Sequence, residues 1–590
     1  MEITLTLMIL LIAIILFATE WIRMDLVSLM VLLALALTGL VSVEEAFSGF
    51  SNPAVVTVAA IFVMSAGIAN TGVSGKIGEK VLALAGSDER QLIITIMLVA
   101  ALFSAFINNI GATAMLMPVI VTIAQKTRIS PSKLLIPLAF GSLLGGVCTL
   151  IGTPPNILMN TLLQDYAGES FTMFDFTPVG VVIVVSGTLY MAFIGRFLLP
   201  KRKSGTLTEV YQVKEYITEV EILNGSPLHG QTISQSGFES EFGLKVRAIF
   251  RGREKFPFPR RNRKIQQGDT LFLEGDPEAI LNLRKKKGLE VVPERDNPPL
   301  ANLDKEKLIV VEASLTPTSE LVGKSLRDVR FAETHGLTVL AIWRQGSPVV
   351  RKVDHVTLKF GDVLLIQGPE EKVVHLGKEH EFLLMGGVSP APYRPRKAPI
   401  AVALLLGMVL LAASGILPIM LSATLGVLLM VLTNCLTAKE AYESIDWSII
   451  VLIAGMLPLG VALEKSGAAA LLANLLTGGV GSFGPWAVLA TLFLVTSLLT
   501  ETMSHAAAAV LIAPIAFNAA THLGVDPKPF FMAVAISASS CFMTPISHQS
   551  NALVMGPGGY KFFDYTKVGA PLNIVIWILA TLIIPLLFPF

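Results

Sequence analysis

Long apolar segments at both ends of this 590-residue chain constrain its fold more than any other feature. A helix needs about 20 apolar residues to cross the hydrocarbon core of a membrane. Segments of roughly that length lie at 3–19, 26–41, 53–72, 134–160, 178–199, 398–414, 417–434, 447–463, 530–556 and 568–589. Five precede residue 200 and five follow residue 397, so the pattern predicts an all-α polytopic membrane protein built from two halves.

Each half contains one further apolar stretch, 91–125 and 485–520, which polar residues interrupt near its middle. We interpret both stretches as re-entrant helical hairpins that enter and leave the membrane on one side. Non-helical backbone at membrane depth is tolerated only where protein buries it or where it lines a cavity. The interruptions, Asn108-Asn109 and Ser504-His505, therefore mark a candidate cavity.

Charged residues are concentrated in the middle of the chain. The sequence has 45 Lys and Arg and 44 Asp and Glu, and 58 of these lie between residues 201 and 397. This partition predicts a soluble insert in an integral protein of the plasma or inner membrane, and it excludes a nucleic-acid-binding protein and an ordinary soluble enzyme. Basic residues favour the loops on the side of the insert, which predicts a cytoplasmic insert and places both termini outside.

The two membrane halves, 1–200 and 398–590, repeat each other at an offset of about 395 residues. Gly152–Asn156 corresponds to Ser547–Asn551, and Glu45 corresponds to Glu440. Five crossings per half is an odd number, so the halves are predicted to lie in opposite orientations. Inverted repeats with interrupted helices at matching positions are typical of secondary transporters, which bind substrate and ions near the midplane at the interruptions.

The insert is itself a tandem repeat with an offset of 93 residues. Gly268-Asp269 corresponds to Gly361-Asp362, and β-rich runs alternate with such Gly-Asp turns. The pattern predicts two small α/β domains. They span residues 208–290 and 303–385.

These motifs resemble known families. The insert has two copies of a Ser-x-Leu-x-Gly start, an Ala-Ile-x-Arg strand and a Gly-Asp-x-Leu turn, which are similar to TrkA C-terminal domains (RCK C-lobes). Both membrane halves resemble the divalent anion/sodium symporter family of the ion-transporter superfamily, and TPISHQSNALVMGPGGY resembles its sulfate-permease-like subgroup. The resemblance implies an elevator-type homodimer in which sodium drives the transport of a divalent anion.

The resemblance also implies the residues of the site. In that family two Ser-Asn-Thr motifs at the hairpin tips and two unwound segments bind two sodium ions beside the anion. The residues that this carries over as sodium ligands are Ser104, Asn108, Asn109, Gly152 and Thr500. Those that it carries over as substrate contacts are Asn109, Thr153, Asn156, Ser504, His505, Ser547 and Asn551.

The chemistry of these residues fits both ligands. Sodium is a hard cation that prefers hydroxyl, amide and carbonyl oxygens. An oxyanion prefers N–H donors and the positive ends of helices, and two tips and two broken helices would direct four helix N-termini at one place. Asn108 and Asn109 have a simpler interpretation as caps of the hairpin helices, and capping is compatible with ligation.

His505 and Glu501 are ionisable residues within an apolar stretch, which makes both candidates for coupling. Neutral His505 could donate to the anion, and protonated His505 could replace the charge of a second sodium ion. The alternative is an interior histidine bonded to a carbonyl group. Glu501 could pair with His505 at i, i+4 spacing, or it could anchor the hairpin backbone.

The sequence therefore favours a secondary-active, sodium-coupled transporter of a small divalent oxyanion, with sulfate ahead of a dicarboxylate on the resemblance alone. Two alternatives stay open: a ligand-gated potassium or other cation channel or transporter, and a relative of sodium/proton or arsenite antiporters. No enzymatic motif and no resident cofactor is predicted. A nucleotide or another small regulator is a candidate ligand of the TrkA-C-like domains.

Overall fold

The computed structural model describes most of the chain. The described residues are 1–19, 21–73, 86, 88–127, 129–201, 216–223, 226–251, 254–257, 259, 262–275, 290–291, 308–315, 319–344, 347–349, 353–359, 361–377, 381–385 and 394–590. Both membrane halves are helical, and the insert between them is rich in strands.

The first half contains ten helices within these residues. They are α1 (Glu2–Thr19), α2 (Met24–Leu37), α3 (Val43–Phe47), α4 (Pro53–Asn70), α5 (Glu89–Ser104), α6 (Asn109–Thr127), α7 (Leu135–Gly146), α8 (Pro154–Ala167), α9 (Thr177–Tyr190) and α10 (Arg196–Leu198). A π-helical turn, Met191–Gly195, joins the last two.

The second half contains ten helices as well. They are α14 (Ala398–Ala413), α15 (Ile419–Leu432), α16 (Ala438–Glu443), α17 (Trp447–Lys465), α18 (Ala468–Val480), α19 (Pro485–Thr500), α20 (His505–Leu523), α21 (Lys528–Ser539), α22 (Gln549–Gly558) and α23 (Phe562–Leu587). In the described part of the chain, seven helical segments are long and apolar enough to cross a membrane. This agrees with the prediction of a polytopic membrane protein.

Four predicted spans contain no helix of membrane length, two because the helix is short, namely α2 and α15 with 14 residues each, and two because the helix is broken. The predicted span 134–160 consists of α7 and α8, and the predicted span 530–556 consists of α21 and α22. The two hairpin stretches are likewise divided, because α5 ends at Ser104 and α6 begins at Asn109, while α19 ends at Thr500 and α20 begins at His505. All four breaks coincide with the interruptions in the sequence.

One helix was not predicted. Residues 464–484 separate the predicted span 447–463 from the hairpin stretch 485–520, and the structure has α18 there. Its 13 residues rise about 20 Å, which is too short to span a membrane and therefore escapes a search for long apolar runs. The positions that correspond to it in the first half, 74–85, lie outside the described residues.

Contacts between loops group them into two faces. On one face Lys465 pairs with Glu45 at 2.5 Å, and Lys528 pairs with Asp175 at 3.3 Å. On the other face the hydroxyl group of Tyr560 donates to the carbonyl of Ser132 at 2.8 Å. Each of these contacts joins two loops that the sequence places on the same side of the membrane. Which face is cytoplasmic stays a prediction.

The insert contains ten strands and three short helices in the described residues. They are β1 (Tyr216–Glu221), α11 (Phe238–Phe242), β2 (Lys245–Arg251), β3 (Glu254–Pro257), β4 (Thr270–Gly275), β5 (Glu290–Val291), β6 (Leu308–Leu315), α12 (Phe331–His335), β7 (Thr338–Arg344), β8 (Ser347–Pro348), β9 (Val363–Pro369), α13 (Glu370–Leu376) and β10 (Phe382–Met385). They form two antiparallel sheets, β3-β2-β4-β1-β5 and β8-β7-β9-β6-β10.

The offset of 93 residues relates the interactions of the two sheets as well as their sequences. Arg251 pairs with the buried carboxylate of Asp269 at 2.7 Å, and Arg344 pairs with that of Asp362 at 2.6 Å. Residues from both units, such as Leu271 and Leu365, share one hydrophobic cluster. The two units therefore pack directly against each other, and their identity as TrkA-C domains stays a prediction.

The second unit of the insert touches the membrane part on the face that carries Tyr560. A Cβ atom placed on Gly556, in α22, would lie 2.9 Å from the carbonyl oxygen of Gly361 and 3.3 Å from Ser314 Oγ. Glu320 lies close enough to Arg23 to add to the effect of Asp25, which raises the pKa of that guanidinium. The insert thus contacts the helix that follows one of the breaks.

Candidate functional site

The two asparagines of the first hairpin tip, Asn108 and Asn109, have different environments. Asn108 Oδ1 accepts a hydrogen bond from the backbone N–H of Gly111 at 2.6 Å, so this side chain caps α6. Asn109 is buried, and its Oδ1 accepts from the hydroxyl group of Ser104 at 2.5 Å. The tip therefore brings the predicted sodium ligands Ser104 and Asn109 together, while the side chain of Asn108 has the capping role.

The break between α7 and α8 lies directly beneath this tip. A Cβ atom on Gly146 would overlap Asn109 Oδ1, and a Cβ atom on Gly152 would overlap the carbonyl oxygen of Gly146. Asn156 Nδ2 donates to the carbonyl of Thr149 at 2.8 Å and thereby holds the unwound backbone open. The predicted residues Asn109, Gly152 and Asn156 consequently meet around Gly146.

The break between α21 and α22 is held open in the same way. Asn551 Nδ2 donates to the carbonyl groups of Cys541 at 2.9 Å and Thr544 at 3.2 Å. The hydroxyl group of Thr544 donates to the backbone carbonyl of Glu501 at 3.3 Å. These residues lie 395 or 396 positions after Asn156, Gly146, Thr149 and Ala105, whose hydrogen bonds correspond one by one.

The second tip has a different chemistry. The ring of His505 packs against the ring of His548 from the break, with a centroid distance of 5.0 Å. His548 is buried, and its Nδ1 accepts from the backbone N–H of Ser550 at 3.0 Å, so it caps α22.

The i, i+4 spacing suggested an ion pair between Glu501 and His505. That prediction is wrong, because no ion pair joins them within the described residues. Glu501 Oε1 instead accepts from the backbone N–H of Met543 at 2.9 Å and from Asn573 Nδ2 at 3.3 Å. The carboxylate therefore anchors the backbone of the break, whereas the alternative interpretation was an anchor of the hairpin backbone. His505 Nε2 is buried without a hydrogen-bond partner, so this residue is not the satisfied interior histidine either.

The remaining predicted residues of the second half are Thr500, Ser504 and Ser547, which lie at the second tip and its break. The hydroxyl group of Thr500 donates to the carbonyl of Thr496 at 2.9 Å, within its own helix. The hydroxyl group of Ser547 donates to the carbonyl of Thr544 at 2.8 Å. Ser504 stands at the N-terminus of α20 and makes no capping hydrogen bond through its side chain.

Four helices begin at the breaks, namely α6, α8, α20 and α22. The hairpin helix of each half packs against the broken helix of the other half, so α6 contacts α22 and α20 contacts α8. A helix N-terminus carries partial positive charge, and α6 and α20 also have free backbone N–H groups there, whereas α8 begins with Pro154 and Pro155, which have none. The breaks therefore form a region that is suited to an anion although no Lys or Arg occurs in 91–125, 134–195, 485–527 or 529–560.

Unpartnered polar atoms are concentrated in this region. Eleven buried side-chain nitrogen or oxygen atoms of the described residues lack a hydrogen-bond partner. Six of them belong to residues of the breaks: Thr153, Asn156, Glu501, His505, Ser550 and Asn551. Buried polar groups are nearly always hydrogen-bonded in proteins, so such a concentration points to ligands.

Sequence reasoning missed three residues that shape the site. Thr149 and Cys541 supply backbone carbonyl groups to the breaks. Asn573 comes from α23 and contacts Glu501. A signal for Asn573 was present, because it is an amide within an otherwise apolar span, and a polar side chain at that depth needs a partner. In the part of the chain that the structure describes, no group of three or more His, Cys, Asp or Glu side chains is placed to hold a metal ion.

Membrane-length apolar helices, helix breaks and buried polar groups at those breaks are typical of membrane transporters. Comparison with known families agrees. The profile of the citrate transporter (CitMHS) family matches residues 14–535, and the chain belongs to this family.

Similar proteins carry related names. An uncharacterized transporter of Synechocystis is 36% identical over 100% of this chain and 97% of its own length. An uncharacterized transporter of Escherichia coli K12 is 36% identical over 98% of each chain. Sodium/sulfate cotransporter 1 of Chlamydomonas reinhardtii is 26% identical over 97% of this chain and 88% of its own length. These matches support the expected relationship to divalent anion/sodium symporters.

Proposed function

We propose that this protein is a secondary-active, sodium-coupled transporter of a small divalent oxyanion, and that sulfate is its favoured substrate. The observation that carries the proposal is that each hairpin tip contacts a helix break, and that six buried polar side chains at these tips and breaks have no hydrogen-bond partner. The names of the Chlamydomonas relatives favour sulfate and sodium.

The anion is bound by neutral donors. Backbone N–H groups at the start of α20 face no capping side chain, and the hydroxyl group of Ser504 lies beside them. At the start of α8, where Pro154 and Pro155 have no N–H, the hydroxyl group of Thr153 supplies a donor instead. Helix N-termini attract a dianion without the tight hold of a buried Lys or Arg. A transporter needs that balance, because it must release what it binds.

A sodium ion binds in the first half. Ser104, Asn109 and the opened backbone at Gly152 offer hydroxyl, amide and carbonyl oxygens at the first tip, and Asn156 Oδ1 is buried there without a partner. This oxygen-rich set fits a hard cation. Sodium then provides positive charge beside the anion, so each ligand favours the binding of the other.

The corresponding hydrogen bonds of the two breaks support a repeat, and we propose that the two halves are inverted and that the site moves by an elevator-type mechanism. We place the insert in the cytoplasm and both termini outside, with two copies of the chain forming a homodimer. The insert acts as a regulator through TrkA-C-like domains that take a small ligand such as a nucleotide. Its contact with Gly556 gives it access to the helix that follows the second break.

A small carboxylate is the second candidate substrate. The observation that favours it is the description of the matched family as citrate transporters. A dicarboxylate and sulfate both present negatively charged oxygens to helix N-termini, so the geometry of the breaks accommodates either chemistry.

Uptake by reconstituted protein tests the proposal. Radiolabelled sulfate, succinate or citrate is added outside proteoliposomes that contain the protein. A sodium gradient and a proton gradient are imposed in separate experiments. We expect sulfate uptake that requires the sodium gradient, and Asn109→Ala should weaken the sodium dependence severely. The matched control is Asn518→Ala, because Asn518 bonds only within α20 to the carbonyl of Pro514 at 2.8 Å. Uptake by the unmodified protein that does not depend on the sodium gradient would refute sodium coupling.

A further inference from the structure

A basic and aromatic surface lies at the end of the membrane-length segment Thr177–Leu198. The guanidinium carbon of Arg90, in α5, lies 5.6 Å from the centre of the Phe193 ring. The guanidinium carbon of Arg196 lies 4.5 Å from the centre of the Phe197 ring. The two rings are 51% and 71% exposed, respectively. The surface therefore offers guanidinium groups and exposed apolar rings side by side.

Two lysines add positive charge to this surface. Lys133 is 5% exposed, and its Nζ donates to the backbone carbonyl of Arg196 at 2.5 Å, which fixes the end of that helix. Lys201 and Arg196 lie close enough to Lys133 for their charges to act on it. Lys133 follows Ser132, whose carbonyl accepts from Tyr560, so the surface belongs to the face that carries Tyr560.

Neither arginine has an acceptor in the described part of the chain. No described carboxylate forms an ion pair with Arg90 or Arg196, and Arg196 Nε is buried without a hydrogen-bond partner. Arg23, on the same face, differs because it bonds to Asp25 at 2.9 Å. A partly buried guanidinium without an acceptor is unfavourable, since it has lost water without gaining another hydrogen bond. The pair of arginines therefore points to an acceptor from outside the chain.

Acidic side chains offset this charge only in part. Glu89 lies 4.0 Å from Lys133. Asp88 caps α5, where its Oδ2 accepts from the backbone N–H of Gln91 at 3.2 Å. The described part of this surface therefore has four basic and two acidic side chains, which leaves an excess of two positive charges.

We propose that this surface binds an anionic phospholipid, with Arg90 and Arg196 on its phosphate and with Phe193 and Phe197 against its acyl chains. Guanidinium groups suit phosphate because they can donate two parallel hydrogen bonds to it. Aromatic and basic residues at the end of a membrane-spanning helix lie at the level of the lipid head groups. Basic surfaces between such helices take anionic head groups. A phospholipid joins a phosphate to apolar chains, and this surface joins the complementary groups in the same way.

The lipid site is separate from the helix breaks. Arg90 and Ser104 lie near opposite ends of α5, about 21 Å apart along the helix. The π-helical turn Met191–Gly195 packs against α5, and Lys201 is the residue at which the insert begins. A bound head group therefore connects the helix that leads to the first tip with the start of the insert. The inference goes beyond the proposed function and does not depend on sodium or on the transported anion.

Lipid binding to the purified full-length protein tests the proposal. The protein is kept in detergent at low salt, because salt screens exposed charges, and bound lipid is counted by native mass spectrometry. Phosphatidylglycerol and phosphatidylcholine with the same acyl chains are titrated in separate experiments. Glycerol 3-phosphate, which carries the phosphate without the chains, is the third ligand. We expect phosphatidylglycerol to bind at lower concentrations than phosphatidylcholine, whereas glycerol 3-phosphate should not be retained.

Variants assign the binding to the two arginines. Arg90→Gln and Arg196→Gln should each raise the phosphatidylglycerol concentration for half-maximal binding about fivefold, and the double variant about 25-fold. Arg90 is exposed, so its replacement keeps the fold and is informative by itself. Arg23→Gln is the matched control and should leave the midpoint unchanged, because Asp25 already pairs with Arg23.

Three results would overturn the proposal. The first is equal binding of the two phospholipids by the unmodified protein. The second is an unchanged phosphatidylglycerol midpoint in Arg90→Gln and in the folded double variant. The third is binding of glycerol 3-phosphate as strong as that of phosphatidylglycerol, which would assign the surface to a soluble anion instead of a lipid.

Discussion

Gly146 is the position at which one added methyl group would most disturb the geometry of the first tip. Gly146→Ala places a Cβ atom into Asn109 Oδ1 and 3.0 Å from Asn109 Nδ2. Asn109 has a short side chain, and its oxygen is already bonded to Ser104. The amide therefore cannot move aside as the end of a long side chain would, and it has to leave the position that we assign to a sodium ligand.

The magnitude follows from the size of the overlap. Forcing one extra methyl group into a well-packed interior costs about 1–3 kcal/mol. If that cost appears as weaker sodium binding, the sodium concentration for half-maximal uptake rises about 5-fold to 150-fold. The position that corresponds to Gly146 is Cys541, so the second half carries a side chain there, opposite His505 instead of an asparagine.

Sodium dependence of sulfate uptake in proteoliposomes measures this effect. Gly407→Ala is the matched control, because Gly407 lies in α14 and a Cβ atom there has no neighbour within 4 Å. We expect Gly407→Ala to keep the sodium dependence of the unmodified protein. A folded Gly146→Ala protein with an unchanged sodium midpoint would show that Asn109 is not a ligand of the coupling ion.

Three other predictions concern the insert and its attachment. Cysteines at Ser314 and Gly556 should form a disulfide on mild oxidation, whereas cysteines at Glu221 and Gly556 should not, as peptide mass spectrometry of the oxidised protein will show. Asp362→Ala removes the buried carboxylate that bonds to Arg344 and should destabilise the second sheet by about 1.5–3 kcal/mol, seen as faster hydrogen exchange in β9; Lys439→Ala, in an exposed pair, should change stability by less than about 1 kcal/mol. Burial alone would raise the pKa of Glu440, but hydrogen bonds from Arg394 and the backbone of Thr437 hold it below its ordinary value of 4.5, so this carboxylate stabilises the fold at neutral pH and loses that effect as the pH falls through the lowered pKa. Acid unfolding curves of Glu440→Gln should lack this component.

The positions of the helix breaks were predictable because the signal is local. An Asn, Ser, Gly or Pro within a long apolar run is costly in a membrane unless the backbone there serves another purpose. The repeat then gives each break a partner, and the structure has breaks at all four places. The N-terminal capping boxes at Ser42 and Thr437, which are 395 residues apart, are local signals of the same kind.

Contacts between distant residues were not predictable in this way. Glu501 and Asn573 are 72 positions apart, and a helical i, i+4 rule suggested His505 as the partner of Glu501 instead. The carboxylate of Glu501 instead accepts a hydrogen bond from the N–H of Met543, because the backbone of the break has unsatisfied donors that the interior of a helix lacks. The packing of His505 on His548 has the same origin, since it depends on how the break meets the tip.

The two halves show why the fold can stay constant while the ligand chemistry diverges. The amides of Asn156 and Asn551 hold the breaks open through bonds to backbone carbonyl groups, and those bonds do not involve the tips. The two tips differ, with Asn109 in the first half and His505 at the corresponding position of the second half. The opened backbone is therefore kept in both halves although the tip residue differs. The side chains that border each break then set its chemistry, and in the second half they include the carboxylate of Glu501. The repeat in the sequence consequently predicts where each half binds, whereas what each half binds has to be inferred from its own side chains.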